Sequence, residues 1–268
     1  MTTTAAVGRS AAVCVFCSTG RLTNEHIFPR WLATILTAAV VGSGVTSQRT
    51  RRSADGASDT QRWAAADVAS SVVGVVCAAC NNGWMSEIEA RAKAVLSPMV
   101  SGERTTLSPA AQLDLAAWTA MKGYIVEYAL GDVIVATPEE RHALMDAKHP
   151  QGAVPVRIGA VERTGIPSSV TRIVYNVRRD GSQQGLAACT TFALGCAVLQ
   201  VRHGVGITID WTKMSEPWTD HLPVNPPCPR EIQWPPAGVL TSSSLVDWER
   251  PIPASDPAGI TATSDPTG

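Results

Sequence analysis

The chain has 268 residues, of which 45% are apolar and 17% are charged. This composition allows one large or two ordinary domains with a packed core, and it excludes a chain that is disordered throughout. The formal net charge is −1, so there is no global electrostatic signature of a nucleic-acid-binding protein. Residues 1–105 carry ten Lys and Arg against seven Asp and Glu, whereas residues 106–268 carry twelve against sixteen, which puts a mild basic bias on the N-terminal part.

Cysteine usage and the N-terminal sequence indicate the cellular compartment. Four of the seven Cys form two C-x-x-C pairs, and an odd total does not fit a disulfide scaffold. The first residues lack the basic and apolar regions of a signal peptide. The most apolar early run, residues 31–41, is shorter than the roughly 20 residues that span a membrane. We therefore expect a cytoplasmic protein without a membrane segment, in which paired Cys bind metal rather than form cystines.

The first predicted domain, residues 13–104, follows a disordered N-terminus, residues 1–12. Pro29 suits the first turn of a helix, and apolar residues recur at helical spacing over residues 30–40. Residues 42–67 are rich in Gly, Ser, Thr, Arg and Asp and lack periodicity. We interpret them as an insertion, either a flexible loop or an irregular hairpin.

The same predicted domain ends in a strand and a helix. A β-branched run predicts a strand over residues 68–76 that leads directly into Cys77. Apolar residues then share one face of an amphipathic helix over residues 81–96. Pro98 is expected to end this helix.

The second predicted domain, residues 105–250, combines helices and strands. Ser108 and Pro109 suit the cap and first position of a helix that is apolar nearly all round and therefore buried. A shorter helix is expected to start at Thr137-Pro138-Glu139-Glu140 and to end near Lys148. Short β-like runs then predict an antiparallel sheet, over residues 154–161, 170–178, 186–194, 197–202 and 205–211. Residues 251–268 are expected to form a disordered tail, and the predicted fold class is α+β.

The two cysteine pairs, Cys14/Cys17 and Cys77/Cys80, predict one structural zinc site. Each pair presents two thiolates, and four thiolates complete a tetrahedral Zn²⁺ shell. The intervening segment, residues 18–76, is longer than in a compact zinc ribbon and suits a site with an inserted segment. The alternative is two unrelated buried or redox-active dithiols.

An acid, an imidazole and an amide lie close to these cysteines in the sequence. Glu25 and His26 are adjacent, so in an extended segment one can bind a cation while the other faces a water molecule. A neutral imidazole is a competent base near pH 7, and Mg²⁺ prefers carboxylate and amide oxygens. Asn81 follows Cys80 directly and is the candidate amide. The alternatives are a surface acid beside a packed His, and an Asn that only caps a helix.

Taken in order, these motifs resemble the HNH endonuclease, or ββα-metal, family. The resemblance covers residues 14–96 and is closest to zinc-knuckle members from phages and actinobacteria, which carry Glu-His-Ile-Phe-Pro-x-Trp-Leu and Cys-Asn-x-Gly-Trp-Met. It implies a ββα-metal zinc-knuckle unit with an inserted loop and a structural Zn²⁺ on the four Cys. It also implies Mg²⁺ or Mn²⁺ on Glu25 and Asn81, with His26 as the general base. The implied activity is phosphodiester hydrolysis in DNA, with RNA as the second option.

The sequence departs from the family at one position. Many members carry an Asn a few residues before the second cysteine pair, where it orients the base, but residues 70–76 contain none. Ser70, Ser71 or a backbone carbonyl is left to take that role. This departure and the near-neutral net charge favour the alternative of a catalytically inactive, zinc-stabilised module that binds nucleic acid or protein. A third alternative is a protein whose function lies in residues 105–250.

Three basic residues in the insertion are candidates for phosphate contact. Arg49, Arg51 and Arg52 supply most of the local positive charge, and basic loops often touch nucleic-acid backbones. The alternative is a solvated loop without a ligand.

Overall fold

In the computed structural model of the chain, the described residues are 11–40, 46–52, 58–64, 71–130, 133–152, 154–162, 168–179, 182–209, 221–241 and 260–262. They form a mixed helical and β-sheet fold, which confirms the α+β class. Among these residues, no helix is both long and apolar enough to cross a membrane.

The N-terminal part is built on a two-stranded antiparallel sheet of β1 (Leu22–His26) and β4 (Val72–Cys77). The register pairs Leu22 with Cys77 and His26 with Val72. One cysteine pair therefore lies just before β1, and the other begins where β4 ends. The helix α1 (Arg30–Val40) follows β1 and confirms the helix predicted there.

Helical structure follows β4 without a loop. It comprises a single turn α2 (Ala78–Cys80), an irregular segment (Asn81–Met85) that is kinked at Gly83, and α3 (Ser86–Ser101). The prediction that Pro98 ends this helix is wrong, because the helix continues to Gly102, which caps it in the left-handed conformation. Proline in a last turn removes only one helical hydrogen bond, so the helix tolerates it.

A seven-stranded sheet occupies the other side of the molecule, with the order β11-β6-β9-β8-β7-β2-β3. Its strands are β2 (Thr46–Arg52), β3 (Ser58–Ala64), β6 (Val156–Ala160), β7 (Ser168–Arg179), β8 (Ser182–Leu194), β9 (Ala197–Val205) and β11 (His221–Asn225). The antiparallel pairing predicted for the C-terminal strands is confirmed for β6, β9, β8 and β7. The strand β11, which pairs with β6, is not among the predicted strands, and the predicted run 205–211 contributes β10 (Ile207–Ile209) to a separate sheet. However, β2 pairs with β7 in parallel, because it comes from a distant segment and no hairpin fixes its direction.

The described part of the insertion forms this β2–β3 hairpin, with a regular register from Thr46 opposite Ala64 to Arg52 opposite Ser58. Two smaller antiparallel sheets complete the described fold. They pair β5 (Thr105–Leu107) with β12 (Ile232–Trp234), and β10 (Ile207–Ile209) with β13 (Ile260–Ala262). The strand β13 lies within residues 251–268, the predicted disordered tail. The other residues of that tail, and residues 1–10 of the N-terminus, lie outside the described residues.

The helix α4 (Pro109–Leu130) lies between the N-terminal unit and the large sheet, and contacts α3, β4 and β9. Ser108 caps it through a hydrogen bond from Ala111 N to its hydroxyl, 3.2 Å, as its sequence predicts. The shorter helix α5 (Pro138–Ala147) packs on α4 and begins with a capping box between Thr137 and Glu140. One apolar core extends from Cys14 to Trp234 and joins both predicted domains.

Candidate metal centre and acid–base site

The four cysteines form one cluster. The sulfur atoms of Cys14, Cys17, Cys77 and Cys80 all lie within 4.8 Å of one another, and the Cys17 and Cys77 sulfurs are 3.6 Å apart. All four are free thiols. The prediction that folding brings the two distant pairs together is confirmed, and the cluster can hold a metal ion such as zinc.

Backbone conformation brings the first pair against the second. Ser18 donates from its N–H to Cys14 O at 2.9 Å and adopts a φ of 58°. Gly20 has a φ of +82°, and a Cβ there would lie 2.9 Å from Cys77 Cβ. Only glycine suits both the left-handed conformation and this close approach. Gly20 therefore sets how closely the two cysteine pairs meet.

Burial and hydrogen bonding shift the pKa values of the thiols in opposite directions. Burial raises the pKa of Cys14, and it also raises the pKa of Cys80. Burial opposes ionisation at Cys17 too, yet hydrogen bonds with Thr19 and Cys77 lower the pKa of Cys17 to about 6. Cysteine binds metal as the thiolate, so metal binding at this cluster would release protons from the thiols whose pKa is raised.

Apolar and basic side chains surround the cluster. The rings of Phe16 and Trp84 meet edge to face with centroids 4.9 Å apart, and the Lys148 ammonium lies 5.2 Å from the Trp84 ring. Arg141 of α5 donates from Nε to Val15 O at 2.8 Å. The second half of the chain thus supports the cysteine cluster through α5.

Glu25 is buried, with only 5% of its surface exposed, and its Oε1 accepts a hydrogen bond from Lys122 Nζ. Lys122 is fully buried and also forms an ion pair with Glu89 Oε1 at 2.6 Å. Burial by itself lowers the pKa of Lys122, but the charges of Glu25 and Glu89 outweigh it and raise that pKa. Lys122 is therefore an ammonium ion held between two carboxylates.

His26 ends β1 and is partly exposed. Burial, and next the positive charge of Arg30, lower the pKa of His26, which favours the neutral imidazole at neutral pH. Its backbone carbonyl accepts a hydrogen bond from Lys122 Nζ at 2.8 Å. Within the described part of the chain, no side chain or carbonyl hydrogen-bonds the imidazole ring. Ser71 is one of the residues expected to orient the base. Its backbone carbonyl accepts a hydrogen bond from the N–H of Ile27 at 2.9 Å.

Asn81 lies beside β1 rather than capping a helix with its side chain. Its Nδ2 donates to Thr23 Oγ1 at 3.3 Å, and Thr23 Oγ1 donates to Val76 O at 3.0 Å. Asn81 is thus fixed against the strand that carries Glu25, two residues beyond Thr23. Its Oδ1 has no hydrogen-bond partner among the described residues and is available as an oxygen ligand.

Arg49, Arg51 and Arg52 lie in β2, between β3 and β7. Their backbone partners on the parallel side are Val170, Arg172 and Ile173 of β7. The three arginines therefore belong to the large sheet.

Two residues of this site do not figure in the family motifs. Lys122 comes from α4, and Glu89 from α3. The sequence does contain a signal that Lys122 is part of a site. Lys122 lies in a helix that is apolar nearly all round, and a charge buried in such a helix requires a charged partner. Which carboxylate supplies that partner depends on tertiary structure and is not readable from spacing.

No family model, curated protein or solved structure matches this chain.

Proposed function

We propose that the protein is a metal-dependent HNH-type endonuclease that hydrolyses phosphodiester bonds in DNA. In this proposal the four cysteines hold a structural Zn²⁺, while Glu25 and Asn81 hold Mg²⁺ or Mn²⁺ and His26 is the general base. The observation that supports this proposal is the cysteine cluster, which joins β1, β4 and α2. The acid–His pair at the end of β1 and the amide of Asn81 after α2 therefore belong to one small unit.

The donor atoms suit the proposed cation. Glu25 uses Oε1 for Lys122, and its Oε2 has no hydrogen-bond partner among the described residues. Asn81 binds Thr23 through its nitrogen, which leaves its oxygen. Carboxylate and amide oxygens are the ligands that Mg²⁺ and Mn²⁺ prefer.

The chemistry assigned to these residues is hydrolysis by an activated water. His26 takes a proton from water through an imidazole nitrogen as that water attacks phosphorus, and the P–O3′ bond breaks. A divalent ion bound at Glu25 and Asn81 supplies positive charge for the phosphate and the departing 3′ oxygen. The lowered pKa of His26 keeps the ring unprotonated and ready to accept the proton at neutral pH.

One observation favours a second candidate, a zinc-stabilised module that binds nucleic acid or protein without cleaving it. The Glu25 carboxylate already forms an ion pair with Lys122. A carboxylate neutralised in this way has less charge to offer a divalent cation. In this reading Glu25 and Lys122 form only a structural pair.

Cleavage of supercoiled plasmid by protein with one bound zinc distinguishes the two candidates. The protein is incubated with Mg²⁺, Mn²⁺ or EDTA, alongside His26→Ala and His149→Ala. His149 is the matched control, because it is a partly buried histidine whose described bonds are to Pro150 and Gln151, neither of which is assigned to the site. We expect Mg²⁺- or Mn²⁺-dependent nicking that falls at least about 100-fold in His26→Ala, the range for loss of a general base.

The zinc content and the unfolding midpoint of His26→Ala should match those of the unaltered protein. Equal nicking by the His26→Ala and His149→Ala variants would remove His26 from the mechanism. A zinc-loaded protein that retains DNA without nicking it would favour the binding module.

A further inference from the structure

Lys122 is a charged residue in α4, in which residues 115–130 are all buried. None of its surface is exposed, and its neighbours Met121 and Gly123 on α4 are also buried. A buried ammonium group is costly unless each of its protons finds an acceptor. Lys122 has three such acceptors, which are Glu25 Oε1, Glu89 Oε1 and His26 O.

These bonds fix the orientation of the Glu25 carboxylate. Lys122 holds Oε1, so rotation that would exchange the two oxygens breaks a buried, charge-assisted bond. Oε2 then keeps one direction and is free of hydrogen bonds within the described residues. A carboxylate fixed in this way presents a single oxygen to a cation.

The same ammonium fixes the backbone of the base. The peptide unit between His26 and Ile27 is bonded on both sides, since its carbonyl accepts from Lys122 Nζ at 2.8 Å and its N–H donates to Ser71 O at 2.9 Å. The Cα of His26 therefore has little freedom, although its ring has no described partner.

Glu89 keeps Lys122 from cancelling the charge of the site. Its carboxylate is 2.6 Å from Lys122 Nζ, and 25% of its side-chain surface is exposed. Two carboxylates and one ammonium leave the cluster with a net negative charge. Attraction for a divalent cation therefore persists beside the buried lysine.

We propose that Lys122 is the positioning residue of the acid–base pair, because it fixes the Glu25 carboxylate and the backbone of His26. It holds Oε1 of Glu25 and the His26–Ile27 peptide, which leaves Oε2 of Glu25 for the divalent cation. This inference rests on the proposed function. It also gives residues 105–250 a part in the site, because α4 supplies the lysine.

The test measures Mn²⁺ binding by calorimetry together with plasmid nicking in zinc-loaded protein. The variants are Glu25→Gln, Lys122→Met, Glu25→Gln/Lys122→Met and Thr119→Val. Thr119 is the matched control, since it is a buried polar residue one turn away on α4 whose hydroxyl donates only to Leu115 O, at 2.7 Å. Lys122→Met should weaken Mn²⁺ binding and lower kcat by about 10-fold or more, with little change in KM for DNA.

The double variant separates positioning from a general structural effect. If Lys122 acts through Glu25, Lys122→Met should add no further loss of Mn²⁺ affinity to Glu25→Gln. Thr119→Val should leave binding and kcat unchanged. Should Lys122→Met fail to fold, Lys122→Met/Glu89→Gln takes its place, because it preserves the net charge of the cluster.

The outcomes separate this inference from the proposed function. The inference is overturned, and the nuclease proposal is left intact, if Lys122→Met leaves Mn²⁺ affinity and kcat unaffected. Tighter Mn²⁺ binding by Lys122→Met also overturns it, because loss of the positive charge would then outweigh any loss of positioning. A protein that never nicks DNA, yet binds Mn²⁺ through Glu25 and loses it in Lys122→Met, refutes the nuclease and supports the positioning role. Absence of both Mn²⁺ binding and nicking in the unaltered protein refutes both. Loss of folding in both Lys122 variants assigns Lys122 to stability alone.

Discussion

Glu127 carries a second buried charge on α4, directed toward the large sheet. Its Oε1 accepts from Arg172 Nη2 at 2.7 Å and from His203 Nε2 at 2.8 Å, and its Oε2 accepts from Ala136 N at 3.0 Å. Burial opposes ionisation, but the contacts with His203 and Arg172 outweigh it and lower the pKa of Glu127 to about 2. Lys122 thus bonds α4 to β1 and α3, whereas Glu127 bonds the same helix to the large sheet.

The lowered pKa of Glu127 predicts how stability depends on pH. Because the folded-state pKa lies below the ordinary 4.5, the contribution is complete above about pH 4.5 and is lost as the pH falls toward 2. A shift of this size corresponds to a free energy of unfolding on the order of 3 kcal/mol. Glu127→Gln should therefore be destabilised at pH 7, and its deficit relative to the unaltered protein should shrink by about 2 kcal/mol at pH 3.

Urea unfolding of the two proteins at pH 7 and pH 3 measures this difference. Acid release of the proposed metal from the cysteines would affect both proteins alike and would cancel in the comparison. A deficit that is the same at both pH values would show that Glu127 is not ionised in the folded protein.

At the scale of elements, α4 approaches β9 more closely than ordinary side chains allow. A Cβ at Gly123 would lie 2.5 Å from Val201 Cγ1. Two effects therefore oppose each other in Gly123→Ala. Alanine favours the helix by up to about 1 kcal/mol, whereas overpacking a core costs about 1–3 kcal/mol.

We expect the steric cost to exceed the gain in helix propensity, because Val201 is fully buried and its β-branched side chain is stiff about χ1. Gly123→Ala should lower the free energy of unfolding by about 1–2 kcal/mol, measured by urea denaturation. Gly74→Ala is the control, since its Cβ would meet only Asn24 Oδ1 at an ordinary 3.8 Å. A stabilised Gly123→Ala would mean that helix propensity outweighs packing at this contact.

The elements differ in how far sequence specifies them. α4 and α5 are predictable because local signals fix their starts, with Ser108 and Thr137 accepting the expected backbone hydrogen bonds. The joining of the two cysteine pairs follows from thiolate chemistry. The parallel pairing of β2 with β7 and the ion pair of Lys122 with Glu25 depend on contacts between segments far apart in sequence, and no local pattern encodes them.

At the scale of the whole molecule, the two domains predicted to meet between residues 104 and 105 share one apolar core. The β2–β3 hairpin comes from the N-terminal part but joins the sheet formed by the C-terminal strands. Gly195, between β8 and β9, fits against α3 so closely that a Cβ would lie 2.3 Å from Val100 O. Neither part can bury its apolar surface without the other, so we infer that they fold together.

This continuity predicts one cooperative unfolding transition. In urea, release of the proposed zinc to a chromogenic chelator and the change in tryptophan fluorescence should share one midpoint, because Trp84 beside the cysteines and the buried Trp118 and Trp234 belong to one core. A chain of two independent domains would instead release metal at one urea concentration and lose core fluorescence at another. Cys14→Ser supplies the decisive comparison. If the core is continuous, weakening the metal site should lower the fluorescence midpoint as well, whereas an unchanged midpoint would make the metal unit an independent domain.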